Sequence, residues 1–281
     1  MQHSIRIILV RPRNPDNIGA SARAMSNFGF SDLSVVSPYL PAWRETLETA
    51  ATAGSGEPIW LMEGSRAAVG AVDIIGSAKI FATVAEAASD CILLLGTSAL
   101  QRRAPDRDVY PLSNINAYLG QKLAGKSVSR ADGEGPPPAH RYFRNYPEIP
   151  RVGLLFGSEK SGLSNADISH CHAIINIPTC EKQPSINLGQ AVALCCYELA
   201  GRSSKISGTA RRFLPRPSIR ETERTVTEIC SLLKETGEPG RRGTEYAAKV
   251  RRTLLDAELT RTGLNILRIL LRRARSAIRP E

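Results

Sequence analysis

Five short runs, IRIILV (5–10), LSVVS (33–37), CILLLG (91–96), VGLLFG (152–157) and AIINIP (173–178), are apolar almost without interruption. A strand with one face in water alternates polar and apolar residues, whereas a strand covered on both faces has no reason to. Ala-rich or amphipathic stretches lie between these runs: GASARAMSNFG (19–29), RETLETAATAG (44–54), TVAEAASD (83–90) and NLGQAVALCCYELAG (187–201). Strand and helix in alternation predict an α/β fold, a mostly parallel sheet with helices on both faces. No run of eighteen apolar residues is present, and SIRIILV is too short and too soon followed by Arg11 for a secretion signal. A cytoplasmic protein with no membrane partner is expected.

Two breaks interrupt the rhythm. Residues 123–148, with three consecutive prolines, read as a mobile insertion, and the polar, Pro/Gly-punctuated 201–217 reads as a linker. This predicts a domain over 1–200 and a helical module over 218–281. Ser218 with Glu221 is a capping-box pair, Val226, Ile229 and Leu233 follow at helical spacing, and Gly237 is placed to end that helix. A second helix is expected from Thr244 to about Thr260, with Ala247, Val250, Leu254 and Ala257 on one face. The last, from about Thr262, sets Leu264, Leu267, Leu271, Ala274 and Ile278 on one stripe and Arg268, Arg272, Arg275 and Arg279 on another.

The net charge of +10 is confined to the linker and this module: residues 202–281 hold 19 Lys and Arg against 9 Asp and Glu, while the first 201 residues balance. Segregated positive charge suits a phosphate backbone or an acidic membrane surface, and a solvated face is the plainer reading.

Several chemistries are disfavoured. The six cysteines form no C-x-x-C pair, and the His-Cys-His of 170–172 has no second ligand pair at a usable spacing, so no metal is expected. GSEKSG (157–162) is not followed by Lys and Ser/Thr as a phosphate loop requires, and no strand leads into G-x-G-x-x-G. No G-x-S-x-G elbow accompanies the four histidines.

Three turns leave the ends of strands, where open α/β sheets bind ligands: NIGASAR (17–23), FGSEKSGLSN (156–165) and IPTCEKQPSINLGQAV (177–192). In this order they resemble the motifs of the trefoil-knotted SPOUT RNA methyltransferases, and within them the tRNA 2′-O-ribose methyltransferases acting on cytidine or uridine. The resemblance covers residues 5 to about 200, with a looser likeness in AELTRTGLNILRILLR (257–272). It implies a C-terminal trefoil knot, S-adenosylmethionine as cofactor, a homodimer, tRNA as partner, and position 32 of the anticodon loop as target. Ribosomal-RNA ribose methylation, or a non-catalytic RNA-binding protein with the same fold, stay open beside it.

The resemblance carries Thr97, Ser98, Ala99, Gly157, Ile177, Pro184, Ser185, Ile186 and Leu188 over to cofactor binding, with small residues allowing close approach of the main chain. It carries Arg23, Asn17, Ser185, Asn187 and Glu159 over to the reaction. A guanidinium stays protonated near neutral pH, so Arg23 is expected to clamp a phosphate beside the reacting ribose rather than act as a base. Asn17 would brace the turn that aims it, and Gly19 would let backbone come close. Ser185 and Asn187 would contact the substrate hydroxyl or lock their loop, and Glu159 would brace its turn or take part in catalysis. The family continues G-T-S-A with Arg-x-Arg; here Leu100 stands in the first position, and Arg102 keeps the second with Arg103 beside it.

Overall fold

The computed structural model describes residues 4–38, 71–100, 106–123, 150–201, 215–235 and 243–278. Apart from Leu123, which ends a helix, the expected insertion at 123–148 lies outside them, as do most of the linker, the helical stretch at 44–54, Gly237, Arg102, Arg103 and Arg279. The chain runs β1 (Ser4–Val10), α1 (Pro15–Asn27), β2 (Asp32–Val36), α2 (Val72–Gly76), β3 (Lys79–Phe81), α3 (Val84–Ala87), β4 (Leu93–Thr97) and β5 (Val109–Pro111). A 3₁₀ turn at Leu112–Asn114 leads into α4 (Ile115–Leu123), β6 (Arg151–Phe156), α5 (Asn165–Ser169), β7 (Ala173–Asn176) and α6 (Leu188–Gly201). The tail follows as α7 (Ile219–Glu235), α8 (Gly243–Asp256) and α9 (Arg261–Ile278).

Seven strands form one sheet in the order β3-β2-β1-β6-β4-β7-β5, every pair parallel. The five apolar runs are its five inner strands. Their side chains part between two cores as the pleat requires. Ile5, Ile7 and Leu9 join Ile18 and Met25 of α1, Ile115 and Leu119 of α4, and Val192 and Cys195 of α6. Ile8 and Val10 face the opposite way, to Leu94, Leu155, Cys171, Ile174 and Val84. The two edge strands, three residues each, escape sequence reading because they are half exposed and carry no apolar run. TVAEAASD holds a single helical turn, with Thr83 capping Glu86 N–H at 3.2 Å.

β1, β2 and β3 step one way across the sheet, whereas β4 lies on the other side of β1 with β6 between them. Such a reversal opens a crevice at the carboxyl ends of the strands. The chain from β7 then crosses this edge, because α6 begins beside the start of α1: Asn187 Nδ2 donates to Asn17 Oδ1 at 2.9 Å. The α1–α6 crossing is tight enough that a Cβ on Gly189 would lie 2.7 Å from Cβ of Ala20.

The tail closes the second face. Ile219 is 2% exposed within the second core, and Ile219 N–H and Arg220 N–H donate to the carbonyls of Cys91 and Ser89 at 2.9 and 3.1 Å. The capping box forms, Ser218 N–H to Glu221 Oε2 at 2.8 Å and Glu221 N–H to Ser218 Oγ at 3.3 Å. α8 ends at Asp256, short of Thr260, because Glu258 takes a left-handed φ of +45°.

Of the cationic edge expected on α9, Arg268 and Arg275 are engaged in ion pairs. Arg261, Arg268 and Arg275 pair with Glu221, Glu228 and Glu235 at 2.6, 2.6 and 2.8 Å. Both sets advance in steps of seven, so α7 and α9 run parallel with an ion pair on each heptad. Arg272 stays exposed, and so does Ala274 from the expected apolar stripe, while Ile266, Ile269 and Leu270 also face solvent.

Glu223 joins α7 to α8 and α5, receiving Arg251 Nε and Nη2 at 2.6 and 2.9 Å and meeting His170 Nδ1 at 3.2 Å. Burial works to raise this carboxyl, but the hydrogen bonds from His170 and Arg251 outweigh it and hold the group at about 2. A depressed carboxylate stabilises the fold fully above its unfolded value near 4.5 and loses that contribution as pH falls towards about 2. Glu223→Gln should therefore cost about 2 kcal/mol at neutral pH. Urea unfolding at pH 7 and pH 3 should show a smaller acid loss in the variant than in the wild type.

Candidate active site

The turns identified in the sequence meet at the carboxyl edge. α1 starts where Asn14 Oδ1 accepts Asp16 N–H at 2.9 Å, with Pro15 preset for the first helical position. Asn17 thus sits in the first turn of a helix, not in a loop. Glu159 reaches it from the β6 turn: its carboxylate accepts Arg13 N–H at 2.9 Å and the Asn17 side-chain amide at 2.5 Å. Asn187 completes the tie, donating to Asn17 and accepting Gly189 N–H at 2.9 Å, which caps α6. One carboxylate–amide–amide chain, Glu159 to Asn17 to Asn187, thereby fastens the β6 turn, α1 and the start of α6 together. Glu159 has a bracing position, with both oxygens engaged.

The β6 turn is closed by its own backbone. Gly162 N–H donates to Ser158 O at 2.7 Å with Gly162 at φ +66°. A Cβ on Gly157 would lie 2.1 Å from the Gly162 carbonyl carbon. Glycine at 157 is therefore required by the turn itself, ahead of any ligand.

At the end of β4, Thr97 Oγ1 donates to Leu155 O at 2.9 Å, and Ser98 Oγ accepts Leu100 N–H at 3.1 Å. Asn176 Nδ2 from β7 holds Ser98 O at 3.0 Å. These hydroxyls are committed within the protein, as in a strand-end cap. Ala99 and Ser185 are exposed, Ile177, Pro184 and Ile186 half-buried, and Leu188 is buried in the first core. Thr179 Oγ1 donates to Pro184 O at 2.9 Å, folding 179–184 back on itself. The strands whose ends carry this set, β6, β4 and β7, are neighbours in the sheet, with β1 next to them.

Arg23 stands apart from the tie. It is exposed on α1 and among the described residues makes no hydrogen bond or ion pair. Gly19 is buried in the same helix; the close backbone approach there is supplied by Gly189 against Ala20. Leu100, at φ +59°, packs beside the second core with Phe81 and Ile168, so an apolar contact occupies the position where the resemblance implies arginine.

The His-Cys-His segment is structural. His172 Nδ1 accepts Leu94 N–H at 3.1 Å, and burial, with Arg216 and Arg107 nearby, pushes its pKa down to about 3. Burial pushes the thiols of Cys91, Cys171 and Cys196 up to about 12. Among the described residues no group of three or more His, Cys, Asp or Glu is placed to hold a metal ion.

The model of the SpoU rRNA Methylase family matches residues 4–197. The chain belongs to this family. Among its relatives, the tRNA (cytidine/uridine-2′-O-)-methyltransferase TrmJ of Cronobacter sakazakii is 30% identical, over 96% of each protein. TrmJ of Yersinia enterocolitica is 28% identical over 96% of this chain and 91% of that protein. The crystal structure of TrmJ from Z. mobilis ZM4 superposes with a TM-score of 0.69 at 28% identity, covering 95% of this chain and 97% of that one. A putative methylase family protein from Neisseria gonorrhoeae gives 0.56 at 26% identity, covering 78% and 90%. The parallel sheet expected from the alternation of strand and helix is the sheet of this SpoU methylase.

Sequence reasoning missed two of its site-bordering residues, Arg11 and Asp167, which pair across 156 positions. A signal was present for one of them: Ser164 followed by Asp167 is a capping-box spacing, and the box forms.

Gly189→Val should force α6 off Ala20 and separate Asn187 from Asn17. Thermal unfolding is expected to show a loss of about 2 kcal/mol, in the range of overpacking a tight contact.

Proposed function

We propose that this SpoU methylase transfers a methyl group from S-adenosylmethionine to the ribose 2′-hydroxyl of a cytidine or uridine in tRNA, at position 32 of the anticodon loop. We place it in the cytoplasm as a homodimer whose knotted C-terminal segment, 177–201, frames the cofactor. The observation that carries the reading is the tie of Asn17, Glu159 and Asn187, which fixes three strand-end turns side by side in a chain of this family. The TrmJ relatives, matched from end to end, are named for tRNA, and the basic tail supplies charge for an RNA backbone.

The residues present fit such a cofactor. The ends of β6, β4 and β7 adjoin, the hydroxyls of Thr97 and Ser98 are turned inward, and Ile177, Pro184 and Ile186 leave a half-buried apolar shelf with the exposed hydroxyl of Ser185. Thr97 to Ala99, Gly157, Ile177 and Pro184 to Leu188 would hold the cofactor, with Leu188 contributing main chain because its side chain belongs to the core. When bound, S-adenosylmethionine supplies a methyl carbon on a sulfonium.

The protein's part is placement. Two reactants held in line gain most of their rate from lost freedom of motion. Arg23 presents a charged fork with no competing partner among the described residues, suited to two oxygens of one phosphate. Asn17, Glu159 and Asn187 brace the start of the helix that carries it. Asn187, spent on Asn17 and the α6 cap, locks its loop.

The family's own description favours a second substrate, ribosomal RNA. Mapping 2′-O-methyl nucleosides in tRNA and rRNA from a deletion strain separates the two: loss at tRNA position 32 supports the proposal, and loss confined to rRNA overturns it. In vitro, Arg23→Ala should lower kcat by roughly a hundredfold, with S-adenosylmethionine affinity by calorimetry unchanged. Wild-type turnover in Arg23→Ala would remove its assigned role. Raising salt from 50 to 200 mM should weaken tRNA binding by about tenfold or more.

A further inference from the structure

Between β1 and α1 the chain passes through Arg11, Pro12, Arg13 and Asn14. Arg11 adopts the left-handed conformation, φ +51°, without being glycine. Such a backbone persists only where neighbours fix it. Its neighbour is Asp167. Arg11 sets two guanidinium nitrogens on that carboxylate, Nη1 at 3.2 Å from Oδ1 and Nη2 in a shorter contact with Oδ2.

Asp167 is itself anchored. It is 5% exposed and accepts Ser164 N–H at 2.7 Å and the Ser164 hydroxyl at 2.6 Å, closing the cap of α5. Burial works to raise this carboxyl, yet the bonds from Arg11 and Ser164 hold it below the usual carboxylate range. The far end of α5 is also fixed: Ser169 O accepts Arg107 Nη2 at 3.0 Å and Ser169 Oγ accepts Arg251 Nη1 at 2.8 Å.

Two residues past Arg11, Arg13 N–H reaches Glu159, and Asn17 meets Glu159 and Asn187 four residues further on. The lead into α1 is therefore held at one end by a half-buried ion pair, its carboxylate buried and its guanidinium partly exposed, and at the other by the three-way tie. Both attachments run to the segment 158–167, which follows β6. A purely structural pair could sit anywhere in the fold, whereas this one bounds the seven residues that start the helix carrying Arg23.

We propose that Arg11 and Asp167 are positioning residues for the methyl transfer: their fork sets where α1 begins, and so where Asn17 and Arg23 stand against the β6 and β7 turns. The proposal rests on the methyltransferase reading above. It requires a planar fork, so a single ammonium at position 11 does not replace it.

The test uses the full chain with Asp167→Asn, Arg11→Lys and the double variant. Asparagine can still accept from Ser164, so α5 keeps its cap while the charge facing Arg11 is lost. Both single variants should lower kcat by roughly tenfold or more at a temperature where circular dichroism shows each variant folded, with KM and calorimetric affinity for S-adenosylmethionine near wild type, and the double variant should be no slower than the slower single. Amide exchange should rise in residues 13–17 and stay unchanged in β2 and α7. Wild-type kcat and wild-type protection of 13–17 in Asp167→Asn would overturn the proposal, and so would a loss of kcat that merely follows a loss of folding or of cofactor binding. If the wild type transfers no methyl group to RNA, the functional reading fails. The exchange arm then decides on its own whether the pair sets the start of α1: raised exchange in 13–17 keeps the positioning, and unchanged exchange rejects it.

Discussion

A parallel sheet covered on both faces leaves a single place for chemistry, the rim where its strands end. Ile7, Ile8, Leu9 and Val10 are all sealed from solvent, two to each side, and Leu93, Leu94 and Leu95 repeat the pattern. Side chains there can only pack. Everything polar that links α1, β6 and α6 is pushed to the carboxyl rim, and the segment 177–187 must cross that rim to bring α6 onto α1. The crossing brings Asn187 to Asn17 although 170 positions separate them.

The same constraint explains what could be read from residues alone. Inner strands announce themselves because double burial demands unbroken apolar runs. β3 and β5, three residues each at the edges, carry no such demand and leave no such trace. α1 is legible in its Ala-rich stretch from Gly19, although its polar first turn reads as a loop, while α5 is too short for a periodic pattern and shows only in the Ser164–Asp167 spacing. At the site, the three turns were legible as motifs, but their partnerships were not. That Glu159 would spend both oxygens on Arg13 and Asn17, or that Thr97 would turn its hydroxyl to Leu155, follows from strand order, which no local window contains.

Glycine gives the clearest case of a right position with a different cause. Gly157 was expected to make room for a ligand. The backbone of Gly162 already fills that room. Its small size serves the turn first, and any ligand inherits a surface the turn has shaped. Leu100 illustrates the converse, a departure from the family's pattern that the fold absorbs by packing the residue beside the second core.

The parallel pairing of α7 with α9 changes what the tail's surplus charge means. Arg268 and Arg275 already give their Nε and Nη2 edges to carboxylates, so a phosphate that takes the same edge must displace Glu228 or Glu235. Binding there is anion exchange, and its yield is the difference between two attractions, not the whole of one. Salt screens the pairs that join α7 to α9, so under the RNA-binding reading proposed above it acts twice on this tail, once on the ligand and once on the shape that meets it.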